Sequence, residues 1–273
     1  MPHKNRPSAK TLYFFYGYRM TTPEVTQSLS LVGGFQGVME LRREGLRLYE
    51  ELAKRNPGRE DDQQGLALAH TRMASILMHE NDRKGAATHY REALRIQTAL
   101  NIAHGDQAQY RISLGLAQSN LGNALREAGD PKSALASFAI AVRQYEPLVI
   151  ADANEVRART LLATVRLREA KAWNDLGDTK RAARLLRAVL EERRFLAKRN
   201  PANAGARGEV AEAHGVLGDV ALRARQLPEA AAQYETALRL FAALETEGRS
   251  NAADHEEVAG IRARLAGARV KKP

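Results

Sequence analysis

Cysteine is absent from the 273 residues. That excludes disulfides and thiolate metal sites, and it suits a reducing compartment. Aromatics are scarce at 5%, so alanine and leucine must do most of the packing, as in helical proteins. No apolar run is read as approaching the roughly 20 residues that span a bilayer. Near the N-terminus, Lys4, Arg6 and Lys10 precede a short cluster from Leu12 to Tyr16. A secretory signal needs an aliphatic core of roughly 7 to 15 residues and a small-residue cleavage site. The expectation is a cytoplasmic chain with no membrane segment. Catalytic signatures are missing too: there is no phosphate loop, no H-E-x-x-H, no G-x-S-x-G and none of the kinase motifs. An enzyme is not expected, nor a metal or cofactor. Acidic residues are in deficit, 32 against 42 Lys plus Arg, for a net charge of +10. That balance permits nucleic-acid or acidic partners, although no Arg/Lys stripe with interleaved aromatics occurs.

What is present is a repeat. Gly129-Asp130-Pro131-Lys132-Ser133-Ala134 is its clearest copy, and Ala134 has counterparts in Ala86, Ala182 and Ala230, spaced 48 residues apart. Four residues downstream come Tyr90, Phe138, Leu186 and Tyr234, then Ala93, Ala141, Val189 and Ala237. Leu52, Leu100, Leu148, Leu196 and Leu244 form a further column in the same register. Columns of matched size at one period mark a solenoid of stacked supersecondary units, which needs no single core.

Each unit is predicted to be two long antiparallel helices. In the second unit they run from Gln107 to Ala128 and from Pro131 to Ile150. Gly129 supplies a left-handed stop, Asp130 caps the next helix, and Pro131 sits where its missing N–H costs nothing. Asn81-Asp82 and Gly177-Asp178 repeat this punctuation, and Arg225-Gln226 before Pro228 is a looser version. The prediction is one continuous array over 22–272. It has a degenerate first repeat (22–57, with a shortened helix Pro23 to Val32), full repeats at about 60–104, 107–151, 154–200 and 203–248, and a capping helix at 252–268. Residues 1–21, with Tyr13, Phe14, Phe15, Tyr16 and Tyr18, fit no repeat and are read as a packed cap or as a segment foreign to the fold.

First helices carry apolar stripes: Leu66, Ala69, Met73 and Leu77, then Leu114, Ala117, Leu121 and Leu125, then Val210, Ala213, Leu217 and Ala221. Glu169 interrupts the stripe of the third unit. Its expected accommodation is a small roll of the helix, with Val165 and Trp173 filling the gap and an arginine pairing with the acid. His70 and His214 share a repeat column three units apart. At about 8 to 10 Å per packed helix they lie ~25 Å or more from each other, too far to share a metal. They are read as lone surface or groove histidines.

At these columns the chain resembles a tetratricopeptide-repeat protein. Leu121-Gly122, Ala134, Phe138 and Ala141 fall on that family's signature, as do Leu217-Gly218, Ala230, Tyr234 and Ala237. The first unit has Met73-Ala74 for Leu-Gly, and the third departs further with Glu169-Ala170 and Leu186. The resemblance covers about 23–268 and implies an all-α, right-handed superhelix, an α-solenoid of antiparallel helix pairs whose first helices line a concave surface. The period exceeds the family's usual ~34 residues. Long repeats with a turn like Asn200-Pro201-Ala202-Asn203 resemble arrays carboxy-terminal to bacterial serine/threonine kinases.

The function so implied is a non-catalytic scaffold that binds an extended peptide or partner protein in its concave groove. Exposed groove positions are expected at Thr71, Ser75 and Met78, at Ser119, Asn120, Asn123 and Arg126, at Arg168, Lys171 and Asn174, and at Asp219. The partner-binding set drawn from them is Thr71, Ser75, Asn120, Asn123, Arg126, Arg168, Lys171 and Asn174, an amide-rich and basic surface suited to a peptide bearing acidic groups. Some relatives grip a C-terminal carboxylate from three inner helices. Asn120 and Arg168 match that pattern, but Thr71, Ser75 and Thr164 stand where Lys, Asn and Lys would be needed, so such a clamp is not expected. The alternative is a nucleic-acid-binding solenoid using its basic surface.

Overall fold

The computed structural model describes residues 34–105 and 107–270; residues 1–21 and the short helix predicted from Pro23 to Val32 lie outside them. Among the described residues ten helices run in order: α1 Gly34–Arg55, α2 Glu60–His79, α3 Arg83–His104, α4 Ala108–Glu127, α5 Pro131–Ala151, α6 Val156–Asp175, α7 Thr179–Arg199, α8 Ala204–Arg223, α9 Leu227–Thr246 and α10 Ala252–Val270. No strand occurs among the described residues.

The punctuation works as its chemistry requires. Carboxylates of Asp82, Asp130 and Asp178 accept from the backbone N–H groups of Gly85, Ser133 and Arg181, satisfying donors that the first turn leaves free. Gly129 and Gly177 hold φ of +89° and +88°, where a side chain would clash with the backbone. At the looser turn Arg225 itself takes φ +59°, and Gln226 makes no side-chain cap.

Every helix packs on its neighbours in sequence, so α2 with α3, α4 with α5, α6 with α7 and α8 with α9 form four pairs, with α1 before them and α10 after. The pairs meet through the repeat columns. Ala86, Ala134, Ala182 and Ala230 are all fully buried, as are Phe138, Leu186 and Tyr234. A Cβ on Gly122 would lie 2.5 Å from the Phe138 ring, and one on Gly218 would lie 2.5 Å from the Tyr234 ring. The Leu-Gly dipeptide thus leaves the hollow that the aromatic of the second helix fills. Where Ala170 replaces the glycine, Leu186 replaces the ring, a compensation in volume.

Burial of the alanine column reflects close helix approach, so added methylenes have nowhere to go. Ala134→Leu is expected to destabilise by about 1 to 3 kcal/mol, while Ala136→Leu, at an exposed position, costs less than about 0.5 kcal/mol. Urea midpoints that coincide for the two variants contradict this register.

One expectation needs correction. By length and composition alone, α5 is apolar enough to cross a membrane, because Ala, Phe, Ile, Val and Leu fill it with few charges. In the fold it packs between α4 and α6, with Ala134, Phe138, Ala141 and Tyr145 turned inward.

Candidate functional site: the groove along the first helices

Neighbouring first helices touch: α4 meets α6, α6 meets α8, and α8 meets α10, whereas successive second helices make no comparable contact. A stack that is closer on one side curves toward it, so the first helices line the inside of the curve.

Polar side chains bridge this inner face from helix to helix. Arg126 of α4 donates to Asp175 of α6 at 3.0 Å. Arg168 of α6 reaches back to α4, where its Nη1 donates to Ser119 Oγ at 2.7 Å and to Asn120 Oδ1 at 3.2 Å. Lys171 donates forward to Glu212 of α8 at 3.0 Å. Arg223 of α8 donates to the Asp175 carbonyl, and Arg264 of α10 pairs with Asp219 at 2.9 Å and Glu257 at 3.0 Å.

The anticipated groove residues therefore divide. Asn120 and Arg168 join directly, while Arg126 and Lys171 are each neutralised by an acid of the next unit. Asn123 donates to Glu127 one turn along its own helix. Asn174 Oδ1 is buried and meets no hydrogen-bond donor among the described residues. On α2, Ser75 is exposed, and Thr71 is half-buried with its hydroxyl turned to the Ala67 carbonyl. Of the positions expected to be exposed only Ser75 is, and the others are half-buried or buried: Ser119 is 2% exposed because Arg168 covers it, and Met78 is half-buried against the Ala86 and Tyr90 cluster. Asp219, also half-buried, accepts from Tyr234 Oη at 2.7 Å. Glu169 pairs with no arginine among the described residues; it accepts from the Trp173 indole N–H at 3.1 Å, and Arg181 stacks on that ring.

Sequence reasoning missed the acids. Glu212 sits between Lys171 and Arg193, whose side chain is 1% exposed. Burial pushes the Glu212 carboxyl up, but the two cations outweigh it and hold it at about 2. Glu209 beside it is raised by burial, with Arg193 opposing and Glu212 adding to the rise. Arg168 differs from its neighbours. Burial lowers its pKa against the nearby Glu212, yet no carboxylate lies within ion-pair distance of it among the described residues.

Comparison with known proteins bears on the fold. BtubC (BKLC) from P. vanneervenii superposes with a TM-score of 0.54 at 17% identity, covering 85% of this chain and 89% of that one. The chain is an all-α solenoid of stacked antiparallel helix pairs. A thermophilic TPR protein from Thermus thermophilus aligns at 18% identity over 90% of this chain and 96% of that one, with a TM-score of 0.38. No protein-family model and no curated protein matches the sequence.

His70 and His214 are neither lone nor at the surface. Both are buried, and each bonds the second helix of its own unit. His70 Nδ1 lies 3.0 Å from His89 Nδ1, and His214 Nδ1 lies 2.7 Å from Gln233 Oε1, the equivalent position three repeats on. Two facing Nδ1 atoms require one donor and one acceptor, so at least one of the two rings must be neutral. Burial lowers the pKa of both; His89 lowers His70 further, while Glu50 and Glu92 pull both upward and Arg95 pulls His70 down. Groups depressed in the folded state give stability that is present above the unfolded value of about 6.5 and lost as pH falls toward the folded values. His89→Gln, which copies the fourth unit, is expected to remove part of the loss between about pH 7 and pH 5.5, since burial still lowers His70. Urea midpoints at the two pH values check this; equal losses in wild type and variant contradict it.

Proposed function

We propose that the array is a non-catalytic scaffold that holds an extended peptide segment of a partner protein along its inner groove, with an acidic group of that segment on Arg168. One observation carries this reading: a deep-set guanidinium spends its bonds on the neutral oxygens of Ser119 and Asn120 and meets no carboxylate among the described residues. A cation taken out of water gains most from a charge-assisted partner, and Asn120, Asn123 and Asn174 beside it offer amides to a peptide backbone. Arg126 and Lys171 serve the array itself by tying its units together. The turn Asn200-Pro201-Ala202-Asn203, whose Asn203 caps α8 by accepting from Ala206 N–H, links this reading to kinase-borne regulatory arrays.

Peptides selected on the purified chain from a random library are expected to carry a carboxylate. Arg168→Ala is expected to weaken them about tenfold or more. Selected peptides that lack acids, or that bind the variant as well as wild type, contradict the proposal. Tight duplex binding with a steep salt dependence favours the nucleic-acid alternative.

A further inference from the structure

The opposite, outer face has clefts between successive second helices, floored by the first helix between them. The cleft between α5 and α7 is closed by paired charges. Arg159 of α6 makes a two-pronged contact with Glu192 of α7, at 2.6 and 2.7 Å, and Arg166 donates to Glu146 of α5 at 2.7 Å. One repeat later, 48 residues on in every case, the same four positions hold Arg207, Leu240, His214 and Arg194. Both acids have gone; one is replaced by leucine and the other by a cation.

A cavity of about 340 Å³ opens in that second cleft, between α7 and α9 over α8. Its polar walls are Arg194, Arg207, His214 and Thr236, and its apolar walls include Val210 and Leu240. Arg207 now finds its carboxylate at the cleft's end, on Glu247. Arg194 leans on Glu191 one turn back, an exposed pair worth little, and its Nη2 lies 3.3 Å from His214 Nε2. The imidazole is fixed in that orientation: Gln233 donates its amide N–H to Glu229 and so turns its oxygen to His214 Nδ1–H, which leaves Nε2 as the acceptor facing Arg194. Arg239 adds another positive charge, its Nη2 bonded to the Thr236 hydroxyl. His214 stays neutral, since burial lowers its pKa and the Gln233 bond only partly offsets this.

We infer that this outer cleft binds a small aliphatic carboxylate, whose anionic head supplies the negative charge that Glu146 and Glu192 supply one repeat earlier and whose alkyl part lies on Val210 and Leu240. Arg194 is the head's main donor, and Thr236 and Arg239 lie at its side. The volume falls at the lower end of the roughly 300 to 1,000 Å³ of small-ligand sites. The cleft lies across the molecule from the groove along the first helices and does not depend on how that groove is used.

The test is NMR titration of the full chain with hexanoate, with hexanol and inorganic phosphate as controls. Hexanoate is expected to shift the His214 ring and Leu240 methyl signals saturably, with hexanol far weaker. Arg194→Glu restores the acid of the preceding repeat and is expected to weaken hexanoate at least about tenfold. Leu240→Glu, which rebuilds the partner of Arg207, is expected to do the same by a separate route. Saturable binding of phosphate but not hexanoate overturns the carboxylate assignment. The absence of any saturable shift at His214, or wild-type binding by both folded variants, overturns the site.

Discussion

Glu212→Ala is expected to destabilise the array by about 3 kcal/mol, among the largest losses of any polar substitution in this chain. The carboxylate holds two cations from two helices, Lys171 of α6 at 3.0 Å and Arg193 of α7 at 3.1 Å. Arg193 is fully enclosed, so truncating its acid leaves a desolvated charge with the Glu209 carbonyl at 2.6 Å and the Glu209 carboxylate at 3.9 Å. Removing both ends is far milder, because well-packed apolar groups replace buried ion pairs at little cost: Glu212→Leu combined with Arg193→Met is expected to recover most of the loss. Since the Glu212 carboxyl is held at about 2, its contribution is complete above the unfolded glutamate value of about 4.3 and is lost as pH falls from there toward 2. Urea unfolding of the single and double variants at neutral pH reads this directly. A single-variant loss below about 1 kcal/mol contradicts the assignment.

Phe138→Ala is expected to cost about 3 to 5 kcal/mol. The ring has no exposed surface and fills the hollow over Gly122, in a cluster with Ala134, Ala141, Leu162 and Val165. Gly122→Ala approaches the same contact from the other side, with its Cβ 2.5 Å from Phe138 Cε1, and is expected to cost about 1 to 3 kcal/mol by overpacking. The pair Gly122→Ala with Phe138→Leu rebuilds Ala170 and Leu186 of the third unit, so its cost is expected to fall well below the sum of the two singles. Additive losses contradict the hollow-and-ring account.

The architecture was legible because the fold repeats its packing chemistry. Alanine at 86, 134, 182 and 230 has to be small, the residue four places on has to fill, and Asp130 has to cap. Each requirement is local, and each left a letter at a fixed spacing. The groove was less legible because its chemistry runs between units. Lys171 and Arg126 read as exposed cations, yet each meets an acid of the following unit that no local pattern announces. A signal did exist: Arg193 stands 48 residues after the buried Tyr145, in a column where a cation is costly and demands an acid nearby. His70 and His214 carried a similar signal, sharing a column with the buried Gln118, while their partners His89 and Gln233 share one with the buried Ser137. Glu169 was misassigned because its donor, Trp173, lies one turn along the same helix and was read only as filling volume.

In the proposed binding mode a partner peptide lies along the inner groove beside Arg168. Photo-crosslinking with a selected acidic peptide tests it most directly, using a benzophenone side chain placed either at Asn123, half-buried on the inner helix α4, or at Arg143, exposed on the outer helix α5. Adducts are expected from position 123, lost on Arg168→Ala, and none from position 143. Adducts from position 143 that survive Arg168→Ala, with none from position 123, would contradict it and place the peptide on the convex face.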